Sequence, residues 1–479
     1  TFGDLQKIEQ VIATWYREHD RPFVDVTFPE QDVSTGVAEA IVTEFHLGRL
    51  RAEGNQWFSS DMLLGQIRLM PGDTIYASRL QEDLAWLNQN PFRQVSVVAE
   101  KSDTPGDTDL VLKTQDRMPL RFYVSNDDTG TPVLSLNRWS LGVNWGNAFG
   151  LDQQLSYQLT TSDDFWGHPG HATFVSHSVS LVAPLPWRDT LDIFGSYSQA
   201  VPLLGPDLGL TGISGQASLR YAIRLPNLRA PLFMAGLAIT EDLQFGYDFK
   251  TSNNNLSFGG IEVSNVTSEV DQFPLVYDLT VAGDYGLTAL SNTFTWSPGG
   301  LTARNGDIQF QQQASNPLAK ARYFYDTLSI IETTRLPHDA SWIMRLTGQA
   351  ASTNLLPSEE LGAGGHDTVR GYDERAASGS AGFLVSQELR TPPFPLLGTQ
   401  LSPTDQAQLL VFWDYGSVGD ARATPDSLSS TKLSSLGIGA RYTFGRFVDL
   451  RLDYGFQQRP LPGAAHTGGL LQAAVTLSD

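Results

Sequence analysis

Val448-Asp449-Leu450-Arg451-Leu452-Asp453-Tyr454-Gly455-Phe456 alternates, residue by residue, between a bulky apolar side chain and a charged or small one. Period two is the spacing of a β-strand, whose successive side chains point to opposite faces. The same texture recurs upstream. Trp139, Leu141, Val143 and Trp145 alternate with Ser140, Gly142, Asn144 and Gly146, and Leu155, Tyr157 and Leu159 with Ser156, Gln158 and Thr160. In a soluble sandwich the polar face of such strands looks at water. In an outer-membrane barrel the apolar face looks at lipid and the polar face lines a wet lumen.

Three features favour the barrel. The alternating stretches often reach ten residues, where sandwich strands are usually about 5–6. Aromatic residues gather at their ends, as an interfacial girdle requires. The connections also alternate in length. Short turns are marked by Pro184-Leu185-Pro186, Pro226-Asn227-Leu228 and Pro337-His338-Asp339, whereas 251–271, 298–317, 351–380 and 416–432 read as long polar loops. From Leu120 to Leu477 the pattern predicts about 16 antiparallel strands, an even number, as in bacterial single-chain barrels.

Composition agrees. Only 18% of the 479 residues are charged, 10% are aromatic and 44 are glycine. Mean hydropathy is −0.19, the average of a lipid face and a water face. No apolar run reaches the ~18–20 residues of a membrane helix. With 32 Lys+Arg against 52 Asp+Glu the net charge is −20. Such a chain repels a phosphate backbone, so a nucleic-acid partner is not expected. The absence of cysteine excludes disulfides, zinc ribbons and thiol chemistry. Thr1 opens the chain without a basic, apolar leader, which reads as a processed or trimmed start. The ending Val475-Thr476-Leu477-Ser478-Asp479 lacks the usual terminal aromatic, which reads as short of the native end.

The first ~115 residues have another character, mixed helix and strand. Leu5, Ile8, Ile12 and Trp15 recur at helical spacing, and strand-like runs follow at 23–28 and 37–45. A second unit begins near Gly48 with a strand at 49–52 and a short helix from Ser59 or Ser60. A longer helix presents Leu80, Leu84 and Leu87 and stops at Asn90-Pro91. Strands at 95–99 and 110–113 close the unit. Its order is strand, helix, helix, strand, strand. The first unit shows only the later part of that order. The predicted architecture is therefore α+β domains followed by a membrane all-β barrel, with boundaries at 1–47 (incomplete), 48–116 and 117–479.

The longest loop contains Leu361-Gly362-Ala363-Gly364-Gly365-His366-Asp367-Thr368-Val369-Arg370-Gly371-Tyr372, between the eleventh and twelfth predicted strands. Here the chain resembles the two-partner secretion transporters, also called haemolysin activation/secretion proteins, of the superfamily that includes the barrel-assembly proteins. Val369, Arg370, Gly371 and Tyr372 match the family's Val-Arg-Gly-Tyr signature. Phe412 and Asp414 match its Phe-x-Asp motif, and Gly439 and Arg441 its Gly-x-Arg motif. Pro29, Gln31 and Gly36 resemble the first periplasmic module, and both N-terminal units look like POTRA domains. Together, in order and in these contexts, the motifs are specific.

The residues support the match independently. On 410–416, Val411, Trp413 and Tyr415 share one face and Phe412 and Asp414 the other. On 436–444, Ile438, Ala440, Tyr442 and Phe444 oppose Gly439 and Arg441. Lipid must face the apolar rows, so Asp414 and Arg441 point inward; a charge on the lipid face costs ~2–4 kcal/mol near the midplane. A loop at 353–380 folded into the lumen brings Arg370 to them. The resemblance implies an Arg370–Asp414 pair that anchors the loop. Without the flanking motifs, Arg370 reads as an exposed loop arginine, and Asp414 and Arg441 as ordinary lumen lining.

The resemblance implies a pore that captures an unfolded exoprotein through its POTRA domains and exports it without ATP. The partner would be a β-helical adhesin, cytolysin or contact-dependent toxin. The barrel would sit among outer-membrane lipids as a monomer, with its POTRA domains in the periplasm. A POTRA sheet edge can bind an extended chain by β-augmentation; Phe23, Val24 and Val26, or Val95 and Val97, are the candidate docking elements. The alternatives are an insertase of the same superfamily and a passive porin. Porins do not need the N-terminal domains. No catalytic residue, metal site or cofactor is assigned. His168 and His171 in Trp166-Gly167-His168-Pro169-Gly170-His171 lack an evident third ligand. No phosphate loop, nucleophile elbow or His-Glu-x-x-His occurs. Glu388, Asp449 and Asp453 read as lumen wall.

Overall fold

The computed structural model describes residues 2–31, 37–204, 208–225, 237–258, 261–398, 405–423, 430–464 and 466–479. The chain forms two compact units: 1–120 with the hairpin tip 145–154, and 121–144 with 155–479.

In the first unit, α1 (Phe2–Glu18) precedes a two-stranded antiparallel sheet of β1 (Val24–Thr27) and β2 (Ile41–Glu44). The run predicted at 23–28 is thus β1, and only the end of the run at 37–45 is strand. Gly36 lies outside the described residues. The apolar stripe of α1 is not a core face: Leu5 and Ile12 are half-buried, but Ile8 is 47% and Trp15 53% exposed.

The second module runs β3 (His46–Glu53), α2 (Ser60–Gly65), α3 (Ala77–Leu87), β4 (Arg93–Lys101), β5 (Asp107–Asp116), in the order read from the sequence. α2 begins where Ser59 accepts the Met62 N–H, an N-cap. Leu80 and Leu87 are buried, and Leu84 packs against the same core, with Leu47, Phe58, Leu63, Leu110 and Leu112. In the sheet β5 is central, parallel to β3 and antiparallel to β4. Asp109 ties β5 to β3 by accepting the Arg49 N–H at 2.9 Å. That backbone bond is the main cause holding its carboxyl below the usual range.

The second unit is built on a closed ring of sixteen antiparallel strands. The first eight are β6 (Leu120–Asp127), β7 (Arg138–Ala148), β8 (Gln153–Ser162), β9 (Phe174–Pro184), β10 (Thr190–Ala200), β11 (Leu208–Arg224), β12 (Ala238–Phe258) and β13 (Ile261–Gly283). β14 (Gly286–Ser297), β15 (Tyr323–Arg335) and β16 (Ser341–Ala351) follow. A loop bearing a small hairpin, β17 (Leu361–Ala363) with β18 (Ala377–Gly379), interrupts the ring order. β19 (Ala381–Arg390), β20 (Asp405–Gly419), β21 (Thr431–Phe444), β22 (Val448–Gln457) and β23 (Gly469–Ser478) complete it. β23 closes on β6, with Ser478 opposite Tyr123 and Ala474 opposite Asp127. The barrel therefore has no free edge, and every strand pairs on both sides.

Burial follows the alternation. On β20, Val411 is 51% exposed while Phe412 and Asp414 are buried. On β22, Tyr454 and Phe456 are exposed while Asp453 and Gly455 are buried. Outward aromatics touch across strands: Tyr247, Phe273 and Trp296 form a row with ring centroids 5.4 and 5.7 Å apart.

The connections depart from expectation in two places. The stretch 251–271 is not a loop. β12 and β13 go on pairing through it, from Lys250 opposite Val270 to Phe258 opposite Ile261 with one register shift between Leu256 and Ser257, and β11 follows to Leu208. Its Ser and Asn residues looked like loop composition, but strand pairing satisfies the backbone whatever the side chains. The stretch 298–317 contains α4 (Asp307–Ala314). Pro226-Asn227-Leu228 lies outside the described residues.

Ile438 is outward and 59% exposed, whereas Thr443 shares the inward face of Arg441. Ile438→Arg should lower barrel stability by ~2–4 kcal/mol in lipid, and Thr443→Arg by much less. Urea unfolding in vesicles, followed by Trp fluorescence, checks the difference.

Candidate functional site

The loop between β16 and β19 is buried inside the second unit. Val369, Arg370 and Tyr372 at its tip are each at most 2% exposed. The β17–β18 hairpin projects this tip, and the turn needs a left-handed residue at Gly371, with φ +88°. A Cβ on Gly371 would stand 2.5 Å from the Gly455 carbonyl oxygen, and one on Gly455 2.7 Å from the Arg370 carbonyl carbon. Loop and wall thus meet backbone to backbone, which only glycine on both sides permits.

Arg370 meets Asp414 bidentately. Its Nε donates to Oδ2 at 2.8 Å and its Nη2 to Oδ1 at 2.9 Å. The Arg370 backbone N–H donates to the same carboxylate at 3.0 Å. Nη1 reaches Glu388 on β19 at 2.7 Å, and Nη2 the Ser386 hydroxyl at 3.2 Å. The guanidinium lies over the Phe412 ring, with Cζ 3.5 Å from its centroid, a cation–π contact. Phe412 has room because Gly437 is its partner across the β20–β21 ladder; a Cβ there would strike the ring at 2.2 Å.

Arg441 does not touch Arg370 or Asp414. It donates to Asp453 on β22 at 3.0 Å through both Nη atoms and approaches Glu388 at 3.8 Å. Gly439 leaves space for the Asp453 carboxylate, 2.1 Å from where its Cβ would be. Arg390 and Arg345 donate to Glu388 at 2.7 and 3.2 Å. Arg451 holds Asp453 at 2.8 Å, Asp367 of the loop at 2.8 Å and the His366 carbonyl oxygen. Five arginines therefore share four carboxylates, Asp367, Glu388, Asp414 and Asp453. A buried carboxylate is costly unless paired and hydrogen-bonded, and buried Glu388, Asp414 and Asp453 each are, while Asp367 is exposed.

The rest of the tip is equally fastened. The Tyr372 hydroxyl donates to the Arg459 carbonyl oxygen at 2.7 Å and accepts the Ser434 N–H at 3.2 Å. Gln472 accepts the Gly371 N–H at 3.0 Å, and Gln457 donates to its carbonyl oxygen at 2.7 Å. Val369 packs with Ala363, Leu384, Val418 and Leu433.

All eight motif residues, Val369 to Tyr372, Phe412, Asp414, Gly439 and Arg441, thus gather at one place in the lumen. Sequence reasoning left Glu388 and Asp453 as plain wall and did not single out Arg345, Arg390, Arg451 or Gly455 for this site. Their signal was parity: charged or glycine residues on the inward face of strands whose outward residues are apolar. Asp449 stays outside the network and is exposed.

The N-terminal candidates sit differently. Val26 is 2% and Val95 3% exposed, and Phe23 packs on the core of the second module. Val24 and Val97 are half-buried. These side chains are taken up in packing within the first unit; what the strands offer is backbone. Among the described residues β4 pairs only with β5, and β1 only with β2. His168 and His171 lie in or beside a short turn, and among the described residues no three potential ligands gather for a metal ion.

The sequence profile of the family described as haemolysin secretion/activation protein ShlB/FhaC/HecB matches residues 106–225 and 242–442. The heme/hemopexin transporter protein HuxB of Haemophilus influenzae (strain 86-028NP) is 21% identical over 460 residues, covering 92% of this chain and 75% of that protein. The outer membrane transporter CdiB-2 of Burkholderia pseudomallei (strain 1026b) is 23% identical over 433 residues, covering 87% and 67%. The solved structure of CdiB from Escherichia coli superposes with a TM-score of 0.79 at 17% identity, over 100% of this chain and 85% of that one.

Removing one member of a buried ion pair typically costs ~3–5 kcal/mol, because the other charge is left unpaired. Arg370→Ala should therefore free the loop tip while the ring of strands stays intact. Gly455→Val should do the same by sterics alone. Limited proteolysis within 364–375, with heat-modifiable gel mobility as the assembly control, checks both.

Proposed function

The chain belongs to the haemolysin secretion/activation protein family, and from that premise we propose that it exports an unfolded exoprotein through a lumen that its own loop gates. It is a two-partner secretion transporter of the bacterial outer membrane, with its POTRA domains in the periplasm. The family is one of secretion proteins, not of enzymes.

In the proposed cycle, modules 1–47 and 48–116 capture the partner in the periplasm. An extended segment adds to an open sheet edge, β4 or β1, through main-chain hydrogen bonds. The segment then enters the barrel 117–479. The loop 353–380 blocks the way while Arg370 holds Asp414 and Glu388, and it moves aside as the chain passes. Folding of the exoprotein outside supplies direction, so no ATP is consumed. A β-helical partner suits this scheme, because its coils form successively as the chain emerges. HuxB is named a heme/hemopexin transporter, and a partner that handles such a cargo is one form the exoprotein of this chain could take.

The observation that supports this reading best is the buried Arg370–Asp414 pair. A static plug needs only packing. Five arginines arranged round four carboxylates at the tip of a loop make an attachment that is firm yet breaks as a unit. A passive porin has no use for it, and the family assignment weighs against an insertase.

Reconstitution tests the scheme. Purified protein in vesicles should move a urea-unfolded exoprotein into the lumen of the vesicle, measured as protease protection, without added nucleotide. A variant lacking residues 1–117 should lose at least nine-tenths of that transfer. Retained transfer by the truncated protein overturns the capture role, and an absolute need for ATP overturns the proposed drive.

A further inference from the structure

The loop has a second point of attachment that none of its signature residues forms. At its stem Glu359, with a side chain only 1% exposed, receives Lys250 of β12 on both carboxylate oxygens, at 2.9 and 3.0 Å. Tyr325 of β15 donates to the same carboxylate at 3.0 Å, and Ser358 does so too. The Glu359 carbonyl oxygen accepts the Gln349 side-chain amide at 3.0 Å. Just before it, Leu355 and Leu356 are buried with Phe310 of α4, Val270 and Tyr323. In the ring, Lys250 stands on the seventh strand and Asp414 on the thirteenth. Lys250 is thus six strands from Asp414, while Tyr325, on the tenth strand, holds the stem from the wall between them.

We infer that Glu359 is a positioning residue and that the loop is a strut braced at both ends. Lys250 and Tyr325 brace the stem, and Asp414 and Glu388 brace the tip. A strut of this kind closes the lumen on two sides. The stem side bounds a cavity of about 150 Å³ lined by hydroxyls and amides, including Ser196, Ser214, Gln216, Ser252 and Ser268, with Lys250 and Ser358 in its wall. That lining offers hydrogen bonds to a passing main chain and few fixed charges to trap its side chains. Loss of one brace leaves the loop tethered by the other. Loss of both removes it from the lumen. The two braces are therefore coupled, and the Lys250–Glu359 pair decides how far the loop travels once Arg370 lets go.

The inference rests on reading the barrel as a gated pore, but its readout needs no exported partner. Single-channel current is recorded in planar bilayers from the full chain, with heat-modifiable mobility confirming each variant's assembly. Glu359→Gln and Lys250→Met should each raise the time spent in open levels modestly. In an Arg370→Ala background, Glu359→Gln should raise it on the order of tenfold beyond the product of the separate effects, the size of coupling that linked contacts show. The exchange Lys250→Glu with Glu359→Lys should restore the closed level that Lys250→Glu alone loses. If Arg370→Ala with Glu359→Gln conducts no more than Arg370→Ala, or if the exchange fails to restore closure in an assembled barrel, the second brace is refuted. Failure of export in vesicles with these currents intact would instead count against the proposed function.

Discussion

A guanidinium in a dry place must have its carboxylates with it, and the barrel is arranged round that requirement. Arg370 is almost wholly buried, and its planar fork fits Asp414 in the way a lysine ammonium does not. To bring the pair together, the loop must enter the lumen, Gly371 must adopt a left-handed turn, and Gly455 must let two backbones touch. Phe412 supplies the ring under the charge, and Gly437 supplies the space for that ring. Glu388 and Asp453 then need cations of their own, which Arg345, Arg390, Arg441 and Arg451 provide. The site is therefore an electrostatic unit rather than a list of contacts, and substitutions within it should be strongly non-additive.

The lipid imposes the complementary constraint. Charges concentrate inside because the outward face cannot take them cheaply, and a closed ring leaves no strand edge to be solvated by hydrocarbon. A low overall charged fraction and a dense charged lumen are two sides of one partition. The loop exploits it. It fills a polar interior with a polar tip and adds a small apolar cluster, Val369 with Leu384, Val418 and Leu433, at the point of contact.

Much of this was legible in the residues. Period-two alternation marked the inward face of β20 and β21 and hence the direction of Asp414 and Arg441. Sixteen strands and the loop between the eleventh and twelfth followed from the spacing of turns. The strand and helix order of the second module was readable because Ser59, Asn90 and the leucines of α3 each mark a boundary or a face. What failed was register and reach. Period two tells which face a residue is on but not which residue lies opposite, so Glu388, Asp453 and Gly455 could not be joined to Arg370. Composition misjudged 251–271, because strand pairing satisfies the backbone of serine and asparagine too once neighbouring strands run alongside. The α1 stripe was a true helix signal, yet periodicity alone does not say whether a partner covers it. Lys250 and Glu359 stand 109 residues apart, and nothing local connects them.

In the proposed cycle the loop must leave the wall for a chain to pass. The sequence has no cysteine, so a single engineered disulfide can test it without interference. A Cβ at Gly416 of β20 would lie 3.0 Å from a Val369 methyl, within range of a bridge. Export should be measured for Val369→Cys with Gly416→Cys under oxidising and then reducing conditions. Export should stop while the bridge is intact and return on reduction. Undiminished export through the cross-linked barrel would contradict it.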